Sequence, residues 1–241
     1  MFEMTLDGAV ARLRLDRPEA RNAIPAAGWA VLAKCCRDAE AGGARLLVLS
    51  GDRAAFCAGA DLSDFRAFTQ DEAAAARFRE AMRSGLDALR ELPIATIATI
   101  EGYCYGAGVA LAMACDIRLA GPDARFAITP AKFGISYPQE DVARLVALVG
   151  PGQASRLLLG AGTIDASEAA RIGLVELVGA DVEALAATIV ANSAASIATL
   201  KRGIRMAAQG SARDEGQDSD FDALFGSDDF RRRLAALRPS R

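Results

Sequence analysis

Two glycine-punctuated segments carry the residue types in this chain that could do chemistry. One reads AFCAGADL over residues 55–62, and the other reads EGYCYGAGV over residues 101–109. Each follows an apolar run that predicts a buried strand, and each predicts a glycine turn that leads into a helix. Because the first N–H groups of a helix have no intrahelical acceptor, they can donate to a negatively charged oxygen. Two such turns side by side would form an oxyanion hole built from backbone.

Other kinds of site fit these segments less well. Either segment alone is also explained by glycines that merely permit a tight turn between a strand and a helix. Gly102, Gly106 and Gly108 do not have the G-x-G-x-x-G spacing of a dinucleotide site, and no G-K-[ST] follows them. A Rossmann oxidoreductase is therefore the weakest alternative, and NAD(P) binding would be its test.

The composition restricts the side chains available for catalysis. The chain has no histidine, which excludes histidine-based triads and histidine metal ligands. Electrostatic catalysis by backbone groups gains weight as a result. The five cysteines show no C-x-x-C spacing, so we predict buried thiols and no metal site.

The overall balance of residues is that of an ordinary globular protein. With 241 residues, 52% of them hydrophobic and 24% charged, the chain can form one sizeable core. Its net charge of -3 lacks the basic surface that nucleic-acid binding requires. No apolar run reaches the length of about 18 residues that predicts a membrane span, and the first ten residues do not read as a signal peptide. We expect a cytoplasmic protein with no nucleic-acid and no membrane partner.

The spacing of apolar residues predicts a mixed α/β body. Residues 2–15 predict a β-hairpin around the turn at Asp7-Gly8, and Pro25 starts a helix that runs to about Glu40. The further predicted elements are strand 45–50, loop 51–59, helix 71–91, strand 94–100, helix 102–115 and strand 116–120.

The second half of the chain predicts mainly helices. Residues 142–149 have helical spacing, Gly150 ends that helix, and Pro151 opens another. No segment after Pro151 predicts a strand, and the polar stretch 210–220 predicts a joint before the last helices. The fold class is therefore an α/β body with a helical appendage.

The sequence resembles the crotonase, or enoyl-CoA hydratase/isomerase, superfamily. The resemblance rests on collinear segments: LDRPEARNAI at 15–24, VLSGDRAAFCAGADLSDF at 48–65, IEGYCYGAGVALAMACDIRLAG at 100–121, and two helical stretches at 151–178 and 221–239. It implies a crotonase-like spiral of ββα units with a C-terminal α-helical trimerisation region. Residues 1–190 would be the spiral core with the CoA and oxyanion site, and residues 191–241 the helical region. A homotrimer or a hexamer, a dimer of trimers, would be the assembly.

The resemblance also assigns site residues. The backbone amides of Ala60 and Ala107 fall where the family places its two oxyanion donors. The positions that wrap CoA in the family correspond here to Ala20, Arg21, Ala58, Asp61 and Leu62. Arg238 falls where a side chain approaches a CoA phosphate. No permanently bound cofactor is expected, because CoA arrives as part of an acyl-CoA substrate.

Both glutamates of the family's hydratases are absent. Ala110 and Pro130 stand at those positions, and neither can move the protons that addition of water requires. The segment TPAKFGISY at 129–137 is similar to a decarboxylase branch in which the tyrosine orients a substrate carboxylate, although that branch has a histidine at the position of Ala60. Tyr137 is thus a candidate catalytic residue, or else a half-buried tyrosine with one hydrogen bond.

A further candidate is Glu140, which could act as a base or could simply stabilise the helix that begins there. The resemblance implies an enzyme that forms a thioester enolate, with isomerisation or decarboxylation favoured over hydration. The alternative is an acyl-CoA-binding homologue that has lost catalysis.

Overall fold

The strands of this chain form two sheets, joined by helices that cover them. The computed structural model describes residues 1–69 and 71–237. The strands are β1 (Phe2–Asp7), β2 (Val10–Leu15), β3 (Leu46–Ser50), β4 (Ala55–Cys57), β5 (Ala95–Ile100), β6 (Tyr103–Tyr105), β7 (Ile117–Ala120), β8 (Arg125–Ala127), β9 (Thr163–Asp165) and β10 (Leu177–Val178). The helices are α1 (Gly28–Ala41), α2 (Phe65–Phe68), α3 (Glu72–Arg90), α4 (Ala107–Met113), α5 (Gln139–Gly160), α6 (Ala166–Arg171), α7 (Val182–Ala191), α8 (Ala194–Ala208), α9 (Glu215–Phe225) and α10 (Asp228–Ala236).

The order of the strands makes the body a spiral. One sheet has the order β1-β2-β3-β5-β7-β10, and the other has the order β4-β6-β8-β9. Neighbouring strands are parallel, except that β1 and β9 run antiparallel to β2 and β8. The pairs β3–β4, β5–β6 and β7–β8 each place one strand in each sheet, and a helix follows each pair. This confirms the predicted α/β spiral of ββα units with helices at its C-terminal end.

The main core lies between the two sheets and helices α1, α3 and α4. In β2 the apolar residues alternate, so that Leu13 and Leu15 are fully buried while Arg14 is exposed. Trp29 of α1 and Leu86 of α3 are also fully buried. Burying one such side chain stabilises the fold by about 1.5–3 kcal/mol. This packing keeps the ends of the strands rigid, and the site is built at those ends.

Most of the predicted long elements are confirmed. The misses are short strands and the helix predicted directly after the turn at Gly59, since α2 begins only at Phe65 and Ala60 instead forms a β-bridge with Ile24. The hairpin, the strands at 45–50, 94–100 and 116–120 and the helix at 71–91 are present within a residue or two. The predicted loop 51–59 contains β4, the predicted helix 102–115 contains β6 and begins only at Ala107, and β9 and β10 lie after residue 151. The prediction was wrong there because a strand of two or three residues is too short to show a period.

Two helix boundaries also differ from the prediction. The first helix begins at Gly28, three residues after Pro25, and α9 begins at Glu215 inside the stretch predicted as a joint. The predicted break at Gly150 is confirmed, since its φ of 75° interrupts α5. A φ of that sign favours glycine over residues with a Cβ.

The C-terminal helices expose apolar side chains. The exposed large residues on α8, α9 and α10 are Leu200, Ile204, Phe221, Phe225, Phe230 and Leu234. Within residues 1–69 and 71–237 no single helix is long and apolar enough to cross a membrane; α7 and α8 reach that length only together, with a bend of 108° between them.

Candidate active site

The backbone around Ala60 is held by the segment that precedes α1. The N–H of Ile24 donates to the carbonyl oxygen of Gly59 at 2.8 Å, and the N–H of Asp61 donates to the carbonyl of Ile24 at 2.9 Å. In extended chain, successive N–H groups point to opposite sides. The N–H of Ala60 therefore points away from Ile24.

The backbone around Ala107 is held by the second sheet. Gly106 has a φ of +51° and caps the start of α4, where Ala107 is the first helical residue. The N–H of Gly106 donates to the carbonyl oxygen of Ala127 in β8 at 2.8 Å. The N–H of the first residue in a helix has no acceptor within that helix. The Ala107 N–H therefore points out of the N-terminal end of α4.

The two turns lie against each other. A Cβ placed on Gly59 would be 2.9 Å from the oxygen of Tyr105 and 3.3 Å from the nitrogen of Ala107. Only glycine permits this approach, and its φ is +109°. Across the described ranges 1–69 and 71–237, neither the Ala60 nor the Ala107 N–H donates a hydrogen bond. Two donors without protein acceptors are thus brought into adjacent turns.

The residues predicted to wrap CoA gather at the edge of the first turn. The N–H of Ala58 donates to the carbonyl oxygen of Arg21 at 2.9 Å, which lays the segment after the 3-10 turn Pro18–Ala20 beside the segment after β4. Leu62 follows with 53% of its surface exposed. Two neighbouring backbone segments therefore carry the predicted CoA-binding residues, with Ala20 and Arg21 on one and Ala58, Asp61 and Leu62 on the other. Arg238 lies outside the described residues.

The carboxylate of Asp61 is engaged within the protein. One oxygen accepts from the N–H of Ser63 at 2.9 Å, and the other accepts from Arg17 Nη1 at 2.5 Å. Hydrogen bonds from Ser63, reinforced by Arg17, lower the pKa of Asp61 to about 2. Arg17 also donates to the carbonyl oxygen of Ala23. The Arg17–Asp61 pair therefore links the two backbone segments to each other.

We expect Asp61→Asn to destabilise the fold by about 1–2 kcal/mol at pH 7, because it weakens a charge-assisted pair whose carboxylate is only 13% exposed. The folded pKa lies below the ordinary value near 3.8. The unfolded chain therefore binds more protons, and this stability should be lost as the pH falls from about 4 to about 2. Urea unfolding of both proteins across that range measures it. Glu19→Gln, which alters an exposed partner of Arg17, is the matched control and should have almost no effect; a difference that is as large at pH 2 as at pH 7 would contradict the assignment.

Tyr137 reaches the second turn from the loop before α5. Its hydroxyl donates to the carbonyl oxygen of Gly106 at 3.0 Å. Burial, with a smaller contribution from Asp141, raises the pKa of Tyr137 well above 10. The hydroxyl is therefore protonated at neutral pH, and its proton is engaged with the protein.

The two carboxylates at the start of α5 have different surroundings. Glu140 is 59% exposed and lies 3.8 Å from Arg83 Nη1. Asp141 is fully buried, and one of its oxygens lies 3.3 Å from both Arg83 and Arg144. Its burial raises its pKa in spite of the two arginines. Its second oxygen has no hydrogen-bond partner among the described residues.

Arg83 and Arg144 were not among the predicted site residues. Their only signal is helical spacing to acidic partners, Arg83 with Asp87 at i,i+4 and Arg144 with Asp141 at i,i+3. Such spacing is common on exposed helix faces, so it does not reveal a buried cluster.

The two positions that lack glutamate have different surroundings. Ala110 is fully buried in α4, three residues after Ala107, whereas the partly buried Pro130 opens a 3-10 turn whose other residues are exposed. The thiol of Cys57 lies at the end of β4, where burial raises its pKa to about 12. The thiol of Cys104 in β6 is shifted in the same direction for the same reason. Neither cysteine is ionised at neutral pH, which disfavours a thiolate nucleophile here.

Comparison with known proteins gives a consistent result. A family model described as Enoyl-CoA hydratase/isomerase matches residues 5–231. The echA6 protein of Mycobacterium tuberculosis, which is named as an enoyl-CoA hydratase, is 36% identical over 204 residues, covering 84% of this chain and 81% of that protein. A crystal structure of an enoyl-CoA hydratase/isomerase family protein from Hyphomonas neptunium is 36% identical with a TM-score of 0.92, covering 100% of this chain and 96% of that one. An enoyl-CoA hydratase/carnithine racemase structure from Magnetospirillum magneticum is 29% identical with a TM-score of 0.94, covering 100% and 93% of the two chains.

The fold and the two adjacent turns define a ββα spiral with a pair of backbone donors at its site. The match over 5–231 and the identity to its relatives place this chain in the enoyl-CoA hydratase/isomerase family. It is, by that membership, an acyl-CoA protein of the crotonase type.

Proposed function

We propose that this chain is an enzyme that binds an acyl-CoA thioester and stabilises its enolate between the N–H groups of Ala60 and Ala107. The observation that carries the proposal is the adjacency of these two amides, neither of which has a protein acceptor in the described chain. Enolate formation places negative charge on the thioester oxygen. Donors already fixed by the fold stabilise that charge without reorganising, and each is worth about 10²–10³ in rate.

Hydration is the reaction that these residues support least. Adding water across a conjugated bond requires one group to take a proton and another to supply one. Ala110 and Pro130 can do neither, and the relatives' hydratase names do not change that chemistry. We infer that isomerisation or decarboxylation is the step.

The two favoured reactions make different demands on Glu140. Isomerisation moves a proton between carbons and needs a base, for which Glu140 is the candidate. In decarboxylation the bond from the α-carbon to the carboxyl group breaks, its electron pair forms the enolate, and CO₂ leaves. A proton from solvent then completes the product, so no carboxylate base is required.

The second candidate function is acyl-CoA binding without catalysis. The observation that favours it is the apolar surrounding of Ala110, which is fully buried in the core cluster. Retained backbone donors with no acid or base beside them would hold a thioester and leave it unchanged.

One experiment separates these possibilities. The protein is incubated in D₂O with 2-enoyl, 3-enoyl, saturated and carboxylated acyl-CoA esters, and NMR follows deuterium entry at the α-carbon while mass spectrometry follows products. Calorimetry measures the affinity for each ester and for free CoA. Deuterium exchange or turnover supports the enzyme, tight binding with neither supports the binding protein, and equal affinity for esters and free CoA overturns the oxyanion assignment.

We further propose that α8, α9 and α10, within the predicted helical region 191–241, form the contacts of a homotrimer or of a hexamer built from two trimers. The exposed large apolar side chains on these three helices support this, because exposed apolar patches commonly mark protein–protein contacts.

A single charge on this face should disrupt the assembly. We expect Ile204→Glu, at a position that is 70% exposed, to give a smaller species in light scattering after size exclusion, because an ionised carboxylate cannot be buried without a partner. Ala187→Glu, on the exposed side of α7, is the control and should leave the mass unchanged. An unchanged mass for Ile204→Glu would contradict the proposed interface.

A further inference from the structure

The hydroxyl of Tyr137 and the proposed oxyanion donor of Ala107 meet at one peptide group. The carbonyl oxygen of Gly106 and the nitrogen of Ala107 belong to the same peptide bond. Tyr137 donates to that oxygen at 3.0 Å, across 31 positions of sequence. The opposite end of the same peptide is the N–H that has no acceptor in the described chain.

We propose that Tyr137 is a positioning residue that strengthens and aims the Ala107 donor through the Gly106–Ala107 peptide. This inference rests on the proposed function, since it concerns the same oxyanion. Peptide resonance couples the two ends of the group, so a hydrogen bond to the oxygen shifts electron density away from the nitrogen. The N–H then becomes a better donor, as in other chains of hydrogen bonds in a low-dielectric interior.

The turn that carries this peptide has an unusual backbone conformation. Gly106 has φ of 51° and ψ of -118°, which lies outside helix and strand conformations. The N–H of Gly106 is held by Ala127, and its carbonyl accepts from Val109 and Ala110 within the helix start. The Tyr137 hydroxyl adds a contact from outside the helix, so the peptide is held from both sides.

The first donor has an equivalent arrangement made of backbone. The carbonyl of Gly59 shares its peptide with the Ala60 N–H, and it accepts from the N–H of Ile24 at 2.8 Å. Both proposed oxyanion amides therefore carry a hydrogen-bond donor on the carbonyl behind them. The Gly106 carbonyl behind Ala107 accepts from the backbone N–H groups of Val109 and Ala110 and from the Tyr137 hydroxyl. Among these described donors only the Tyr137 hydroxyl belongs to a side chain, so it is the one that a conservative substitution can remove.

The surroundings of Tyr137 keep its hydroxyl in the donating form. The ring packs against the main core, and burial raises its pKa well above 10. A neutral phenol can donate to a carbonyl, whereas a phenolate cannot.

The test is Tyr137→Phe, read by the infrared band of the thioester carbonyl in a bound ¹³C-labelled acyl-CoA. We expect the wild type to shift this band to lower frequency and the variant to lose part of the shift. The rate of α-proton exchange, or kcat, should fall about three- to ten-fold, in line with the worth of one hydrogen bond, while KM changes less, because the donor interacts more strongly with the charged enolate than with the bound ester. Affinity for a CoA thioether, which lacks the carbonyl, should be equal in both proteins.

Different outcomes identify different failures. If the wild type itself shows no carbonyl shift, the proposed oxyanion function fails. If the wild type shows the shift and Tyr137→Phe retains it in full, the inference about Tyr137 fails alone. Tyr103→Phe, which removes an exposed hydroxyl on the neighbouring strand, is the matched control and should change neither readout.

A second variant guards against misfolding of the first. Replacing Tyr137 with 3-fluorotyrosine keeps the ring and the hydroxyl but makes the phenol a stronger donor. We expect the carbonyl band to move further to lower frequency than in the wild type. A structural role alone would leave the band where it is, so an unmoved band overturns the inference.

Discussion

Gly59→Ala should lower the rate of enolate formation about 10²–10³-fold, the effect of losing one oxyanion donor. The new methyl group would lie 2.9 Å from the oxygen of Tyr105 and 3.3 Å from the nitrogen of Ala107. Both atoms belong to backbone, so the clash cannot be relieved by turning a side chain. The two turns must separate, and the Ala60 and Ala107 amides then no longer converge on one oxygen. Exchange of α-protons in D₂O measures the loss.

The strain of a positive φ must be separated from this effect. Alanine at a φ of +109° is itself unfavourable, and we expect about 1–3 kcal/mol of lost stability. Gly43→Ala is the matched control, because Gly43 has a φ of +77° but a Cβ there meets nothing within 4 Å. It should lose stability without losing activity. A Gly59→Ala protein that keeps full activity while folded would show that the two amides do not act together.

Asp141→Ala should destabilise the protein by about 3 kcal/mol, the lower end of the range for breaking a buried ion pair. The substitution removes the buried one of two carboxylates, Asp141 and Asp87, that contact both Arg83 and Arg144. The lower end applies because these arginines remain 19% and 13% exposed, so water screens part of the repulsion. Urea unfolding at pH 7 measures the change.

The neighbouring carboxylate supplies the control for this prediction. Glu140→Gln also alters a partner of Arg83, but Glu140 is 59% exposed and 3.8 Å away. We expect a loss of less than about 0.5 kcal/mol, as is typical of a surface pair. Equal losses for the two substitutions would contradict the view that burial of Asp141 controls the cluster.

Glu140→Gln also tests the role of Glu140 in catalysis. If Glu140 is the base for isomerisation, Glu140→Gln should stop that reaction while leaving stability intact. If the reaction is decarboxylation, turnover should survive the substitution. The contrast between the two outcomes follows from the proton balance of the two reactions.

Much of the fold could be predicted because long elements leave a period in the sequence. The alternation in β2 and the helical spacing of 142–149 follow from which faces must be buried, and each spans enough residues to be read. Strands β4, β6 and β8 have three residues each and owe their conformation to pairing with one another. Tertiary pairing of that kind leaves no local pattern.

The two glycine segments and the missing glutamates are the part of the site that the sequence by itself determined. Residue types at 59, 60, 106, 107, 110 and 130 decide which backbone can turn and which side chains can move protons, and no contact is needed to read them. Tertiary structure alone decided that Gly59 lies beside the Ala107 amide with no room for a Cβ, that Tyr137 donates to Gly106, and that Asp141 is buried while Glu140 is exposed. These facts depend on contacts between residues 31 to 58 positions apart, which packing sets and local spacing does not record.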